Sequence, residues 1–222
     1  MSYLRPALVL VAAFTLLLGL AFPLGMVGLG SVAFPTQASG SLVMRDGRVV
    51  GSALIGQDFA AEKYFHSRPS ATTVADPADA TKQIPSPYNA DASGGSNLAP
   101  TSKVLIERVR GDVAKSGPAP VPADAVTTSA SGLDPHVSPE TAERQVARVA
   151  AARGIPEADV QRLVAGHTER RLFGLIGEPR VNVLLLNLAL DAQPSPSRGT
   201  MDRHAAARLA MTSLVQHEAI TL

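Results

Sequence analysis

The chain has 222 residues, of which 45% are hydrophobic, 18% charged and only 4% aromatic, with no Cys, no Trp and a formal charge of +1. That composition excludes a disulfide scaffold, a thiolate metal site and a strongly basic nucleic-acid binder. The apolar residues are also unevenly spread, since no ionisable side chain lies between Arg5 and Arg45.

Within that interval Ala7 to Val27 is almost continuously apolar. Roughly 20 residues at 1.5 Å each cross a hydrocarbon core of about 30 Å, so the spacing predicts a transmembrane helix over 7–27. Pro6 suits a first helical turn, and Pro23 is expected to kink the far end or close the helix. A cleaved signal peptide is the competing reading, but its apolar region usually runs only about 7–15 residues before a small-x-small site, and no convincing Ala-x-Ala follows here. Arg5 and the α-amine face an uncharged 34–42 stretch across the helix. The positive-inside rule therefore predicts residues 1–6 in the cytoplasm and 28–191 as an extracytoplasmic domain. Absence of Cys is compatible with an oxidising compartment. The expected fold is a single N-terminal transmembrane helix followed by an α+β domain, mostly helical with a small β element.

In chain order, Asp46-Gly47 between two β-prone runs predicts a hairpin within 41–56, because Gly accepts φ > 0. Asp58 to Tyr64 is read as a helical turn stopped at Arg68-Pro69-Ser70. Residues 71–100, rich in Pro, Ala, Asp, Ser and Gly, show no periodicity and read as one extended loop. Thr101 or Ser102 caps a helix carrying Val104, Leu105, Val109 and Val113, which Gly117-Pro118 breaks. A polar segment, 126–136, leads to the clearest helix: Ser138 as N-cap, Pro139 at N1, Glu140 and Glu143 near the positive dipole end, and Gly154 as C′ glycine. Ala142, Val146, Val149 and Ala150 form its apolar stripe, leaving Arg144, Arg148 and Arg153 to face water or a partner. Ile155-Pro156-Glu157 restarts a helix that ends near Gly166. Periodicity cannot separate strand from helix over 182–190, and Leu, Ala and a cap at Asn182 favour helix. Residues 192–222 read as a linker and C-terminal extension, with a marginal amphipathic helix around 205–215 or disorder.

The chemical motifs are sparse. Ser129, Ser131, Asp134 and His136 share one short segment, which admits a membrane-anchored hydrolase or ligand-binding module built on Ser131, Asp134 and His136. Triad members are not usually sequence neighbours, no Gly-x-Ser-x-Gly elbow is present, and these residue types cap their own turns. The five histidines (His66, His136, His167, His204, His217) are scattered without a His-Glu-x-x-His pattern, so no metal site is expected. Gly94-Gly95 lacks a Walker lysine and reads as a bend packing against another chain rather than an anion nest. C-terminal to residue 34 the aromatics are Phe59, Tyr64, Phe65, Tyr88 and Phe173, which predicts a core of small aliphatics stabilised within a larger assembly.

Several blocks occur together in one order: Phe34-Pro-Thr-Gln-Ala-Ser-Gly-Ser-Leu42, Gly51-Ser-Ala-Leu-Ile-Gly-Gln57, Tyr64-Phe-His-Ser-Arg-Pro-Ser-Ala71, Tyr88-Asn89 with Ser93-Gly-Gly-Ser-Asn-Leu98. They are followed by Thr128 to His136, Gln145-Val-Ala-Arg-Val-Ala150, Gly177-Glu-Pro-Arg-Val-Asn-Val183 and Asn187-Leu-Ala-Leu-Asp191. In these blocks, from the anchor to Asp191, the sequence resembles the C subunit of the bacterial Kdp potassium-transporting P-type ATPase, the KdpC family. The resemblance implies a non-catalytic accessory subunit, single-pass in the inner membrane with its domain periplasmic. It implies three partners: a potassium-translocating channel-like subunit, an ATP-hydrolysing P-type subunit and a small single-span subunit. It further implies a catalytic chaperone that raises the ATP affinity of the hydrolysing subunit, with Gln145 at the position of a nucleotide-contacting helix glutamine. ATP would reach this chain only through the complex, and no cofactor of its own is implied. The residues themselves resist a literal version of that role, because the predicted topology puts Gln145 across the membrane from ATP and no phosphate cradle accompanies it. An indirect effect, through tighter binding to one conformer of the pump, is the alternative. Asp91 and Asp134 are expected to add a mildly cation-attracting surface.

Overall fold

The structure is a computed structural model that describes residues 3–118 and 120–193. It divides into two compact units at Leu54/Ile55.

The first unit opens with one uninterrupted helical segment, Leu4–Ala33, of 30 residues, long and apolar enough to cross a membrane. It runs as α1 (Leu4–Leu16), a π-helical turn (Leu17–Ala21) and α2 (Phe22–Ala33). Pro23 does not close the helix. Its ring would crowd the carbonyl of Gly19, and the wide turn just before it, in which the Phe22 N–H reaches back to the Leu17 carbonyl, accommodates the proline while the helix continues. A single turn, α3 (Pro35–Ala38), follows. Then β1 (Leu42–Arg45) pairs antiparallel with β2 (Arg48–Ser52). Asp46 (φ 51°) and Gly47 (φ 74°) are both left-handed, the type I′ geometry that matches the twist of a two-residue hairpin.

The second unit contains more β structure than the sequence suggests. In the stretch read as one loop, β3 (Thr73–Asp76) pairs with β4 (Asp79–Pro85). Almost every residue of this hairpin is exposed or half-buried, so no apolar alternation marks it; Asp76 Oδ1 accepts the Ala78 N–H to close its turn. Of residues 58–64, read as a helical turn, 61–64 form a single turn. Ser102 caps α4 (Lys103–Lys115), which buries no side chain completely.

Ser138 caps α5 (Pro139–Glu143) as expected, its hydroxyl accepting from the Thr141 N–H, while the Asp124 carboxylate takes the Ser138 N–H at 2.6 Å. The long helix expected to run on to Gly154 is broken at Arg144–Gln145, where the Gln145 N–H bonds to the Ala142 carbonyl in a tighter turn. It resumes as α6 (Val146–Arg153) and ends at Gly154, φ 65°. After α7 (Glu157–Gly166), a three-stranded antiparallel sheet forms in the order β5 (His136–Val137), β7 (Arg180–Asn182), β6 (Thr168–Glu169). Asn182 closes β7 and caps α8 (Val183–Ala192), so the ambiguous apolar run is a helix entered from a short strand. The core joins α5, α6, α7, α8 and the sheet through Ala142, Val146, Val149, Val160, Val181, Leu186 and Leu190, with Phe65 its one fully buried aromatic. The predicted amphipathic helix around 205–215 and the linker before it lie outside the described residues.

Candidate functional site

Residues 62–68 run from the exposed end of the turn at 61–64 into an extended strap, buried at Phe65, that belongs to no sheet. An extended backbone carries a donor and an acceptor at each residue, and burying them unpaired is costly. Side chains of α6, α8 and the turn before α6 supply the partners. Five successive carbonyls are each taken: Glu62 and Tyr64 by Arg148, Lys63 by Arg153, Phe65 by Asn187 and His66 by Gln145. Two carboxamides act as surrogate strand edges. Asn187 accepts the Phe65 N–H at 2.8 Å and donates to its carbonyl at 2.9 Å. Gln145 does the same for His66, at 2.8 and 3.1 Å.

Gln145 is thereby fully occupied. Its Oε1 also accepts from Arg148 at 2.6 Å, and its Nε2 reaches the Thr141 carbonyl at 3.4 Å, which uses both acceptor sites and both donors of the amide. Of the three arginines expected to face water or a partner, Arg144 is exposed, whereas Arg148 and Arg153 are half-buried ties. Arg148 and Arg153 hold the strap, with Arg153 also paired to Asp191 at 2.9 Å, and Arg144 binds the carbonyls of Ser116, Pro118 and Pro120 beyond α4. The planar guanidinium fork suits this work, presenting several donors in fixed directions.

Beside the strap lies a cavity of about 590 Å³ lined by Asp58, His66, Arg68, Tyr88, Gln145 and Arg148, among others. Burial, helped by Arg148, lowers the His66 pKa. Burial also pushes the Tyr88 phenol up to about 12, and its hydroxyl donates to the Arg68 carbonyl at 2.7 Å. Arg68 reaches Asp134 at 2.8 Å.

Asp134 and His136 do meet, Oδ1 lying 3.4 Å from Nδ1, but Ser131 does not join them. The Ser131 hydroxyl accepts the Leu133 N–H and contacts Ser129, as a turn-capping side chain does. Burial would raise the Asp134 carboxyl, yet the hydrogen bonds from His136 and Arg68 outweigh it and hold the pKa near 2. The carboxylate expected to attract cations is thus committed inside the domain. With an unfolded value of about 3.9, this depressed pKa gives Asp134 a stabilising contribution that is complete above about pH 4 and lost as pH falls through about 2. Acid unfolding of wild type and Asp134→Asn is expected to converge below that point and to separate in favour of wild type above it.

His66 Nε2 contacts the Ala61 carbonyl and His167 Nδ1 that of Leu163; His204 and His217 lie outside the described residues. No cluster of three or more metal-ligating side chains occurs among the described residues. Gly94-Gly95 packs against a loop of its own chain. The Gly94 N–H donates to the Ser131 carbonyl, and a Cβ at Gly95 would come within 2.9 Å of the Ala130 carbonyl oxygen, so the glycines serve a close approach of two loops. The strap partners were missed in the sequence. Their signal is an Asn inside the apolar run 183–190, a polar amide that must find a partner once buried.

One long apolar N-terminal helix followed by a small domain of helices and short sheets is the arrangement of a single-span membrane subunit. A family model described as "K+-transporting ATPase, c chain" matches residues 4–192. The potassium-transporting ATPase KdpC subunit of Rhodopseudomonas palustris (strain BisB18) is 62% identical over 193 residues, covering 85% of this chain and 97% of that one. The KdpC subunit of Methylobacterium nodulans is 60% identical over 195 residues, covering 86% and 97%. That of Bradyrhizobium diazoefficiens is 59% identical over 192 residues, covering 85% and 96%. The chain belongs to the KdpC family, the C subunits of the potassium-transporting ATPase.

Proposed function

We propose that the chain stabilises the assembled potassium pump and raises the ATP affinity of its hydrolysing subunit as a catalytic chaperone that acts without touching the nucleotide. The partners are the potassium-translocating channel-like subunit, the ATP-hydrolysing P-type subunit and the small single-span subunit. The Leu4–Ala33 helix anchors the chain in the inner membrane, with Arg5 on the cytoplasmic side and the domain in the periplasm. ATP is a ligand of the complex, and Gln145 contributes by holding the strap.

One observation carries the indirect mechanism: every hydrogen-bonding position of the Gln145 amide is already filled inside the domain. A direct nucleotide contact would have to break bonds that secure the His66 backbone. A rigid domain that binds one pump conformer more tightly shifts the population toward it by its differential affinity alone. In the purified pump, Gln145→Ala and Arg153→Met are therefore expected to raise the ATP concentration for half-maximal hydrolysis by a similar factor, since both loosen the strap and Arg153 does not line the cavity. A shift produced by Gln145→Ala alone would return the nucleotide contact to that side chain.

A further inference from the structure

The membrane helix leaves one backbone acceptor without a donor along its own ladder. In a regular helix the Leu18 carbonyl takes the N–H of residue 22, and in a widened turn that of residue 23. Here the Phe22 N–H reaches back to Leu17, and Pro23 has no N–H to give. Leu18 and Gly19 are the two central residues of the 30-residue Leu4–Ala33 helix, whose apolar window is 0% buried by the rest of the described chain. The acceptor therefore lies near the midplane of the bilayer, where a bare polar group is costly. Gly19 adds a second observation. Its φ is not positive, and an added Cβ would meet only the Thr15 methyl, at 3.9 Å, so nothing within the chain requires a glycine where it weakens the helix. A missing side chain next to a free carbonyl lets another helix come close enough to reach it.

We propose that the Leu18 carbonyl is the acceptor for a side-chain hydroxyl or carboxamide on a transmembrane helix of the potassium-transporting ATPase other than this one, packed against Gly19. The proposal rests on the accessory-subunit reading above and adds a hydrogen bond by which the anchor recognises its partner. The chemistry of the acceptor selects the occupant. Acyl chains carry no donor, so lipid does not satisfy it. A second copy of this chain fails on depth. Copies inserted with the same topology pair about a two-fold axis along the bilayer normal, which puts equal residues at equal depth. The span holds two polar side chains, Thr15 and Ser31, and the Ser31 hydroxyl is spent on the Val27 carbonyl at 2.8 Å. Thr15 lies three residues, about 4.5 Å, toward the N-terminus from Leu18. Its side chain tilts further that way while a helix carbonyl points toward the C-terminus, so the gap exceeds hydrogen-bond reach. The donor must come from a different sequence. A neutral hydroxyl or amide supplies it without the cost of bringing a charge to mid-membrane, and a donor matched to one fixed acceptor sets the register of the two helices.

The test is recovery of the full-length chain with the other pump subunits, purified in detergent through a tag on the hydrolysing subunit. Pro23→Ala restores an N–H inside the helix and removes the need for an outside donor. It is expected to lower recovery by about threefold to tenfold, the loss of one interhelical hydrogen bond. Alanine makes an isolated helix more regular, so such a loss does not come from a melted anchor. Recovery of Pro23→Ala at the wild-type level overturns the acceptor proposal and leaves the accessory-subunit reading intact; failure to recover the wild-type chain overturns both. A diazirine-bearing amino acid replacing Leu18 then identifies the neighbour. A crosslink to a helix of another pump subunit with a hydroxyl or carboxamide within one turn supports the proposal. Crosslinks only to lipid, to a second copy of this chain or to a helix lacking such a side chain overturn it. Replacing that donor by an apolar residue closes a double-mutant cycle. Recovery of the wild-type chain should fall by the same factor and that of Pro23→Ala no further, whereas losses that simply add would show that the two groups do not meet.

Discussion

Asn187→Ala is expected to destabilise the domain by about 3–5 kcal/mol. Asn187 is 2% exposed, and its amide is the partner recorded for both the N–H and the carbonyl of Phe65 at the centre of the core. Alanine strands two buried backbone groups, each costing about 1–3 kcal/mol, and the expected loss is the middle of that combined range. Water cannot readily replace the amide, because Phe65 itself is 0% exposed and the surrounding cluster is aliphatic. Against a typical total stability of about 5–15 kcal/mol, such a loss is large. For a domain of this size it corresponds to a fall in Tm of roughly 10 °C. Arg180→Ala, which removes an exposed ion pair with Glu169, is the matched comparison and should cost no more than about 1 kcal/mol. Thermal unfolding of the purified chain decides the matter, and an Asn187→Ala effect as small as that of Arg180→Ala would show that the strap is held by packing alone.

The strap also marks the boundary of what the sequence discloses. Features decided within a few residues were legible: the Asp46-Gly47 hairpin, the caps at Ser102, Ser138 and Asn182, and the terminating Gly154. Each is local chemistry, in which a short polar side chain reaches a backbone amide or a glycine accepts φ > 0. The strap is the opposite case, since Phe65 and Asn187 are 122 positions apart and His66 and Gln145 79 apart. Nothing near Tyr64 announces that its neighbours' carbonyls will be met by side chains rather than by a strand. The same distance explains the misplaced arginines. Arg148 and Arg153 lie opposite an apolar stripe, which by periodicity alone means solvent, but the carbonyls they bind come from a segment that folds over that face, while Arg144 stays exposed as expected. The break at Arg144–Gln145 follows from the same tie, because the turn there coincides with the Gln145 amide aligned on His66. As for the site, Ser131 and Asp134 cap their own turns as short polar side chains do, each accepting the amide two residues ahead, while the approach of Asp134 Oδ1 to His136 comes with the turn.

A single added methyl group should do comparable damage at Gly132. This residue sits at φ +69°, where an L side chain costs about 1–2 kcal/mol. A Cβ there would come within 2.5 Å of Thr72 Cγ2 and 2.7 Å of the Gly94 carbonyl oxygen. Neither can easily withdraw. Thr72 is 3% exposed and its hydroxyl is anchored on the Ser86 carbonyl at 2.6 Å, while the Gly94 backbone is bonded to Ser131. The Gly132 carbonyl in turn accepts from Ser70, so shifting the turn would loosen the segment that follows the strap. Overpacking of this kind adds about 1–3 kcal/mol, which brings the expected loss for Gly132→Ala to about 2–5 kcal/mol. Gly94→Ala provides the control: it has no positive φ and no atom within 4 Å of an added Cβ, so its stability is expected to stay within about 0.5 kcal/mol of wild type. If the two alanine variants melt alike, the loops at 70–72, 94–95 and 130–132 do not form the rigid three-way junction that these contacts describe. If only Gly132→Ala falls, that junction helps keep Arg68 and Asp134 within 2.8 Å, and the acid-unfolding difference between wild type and Asp134→Asn should shrink in the Gly132→Ala background.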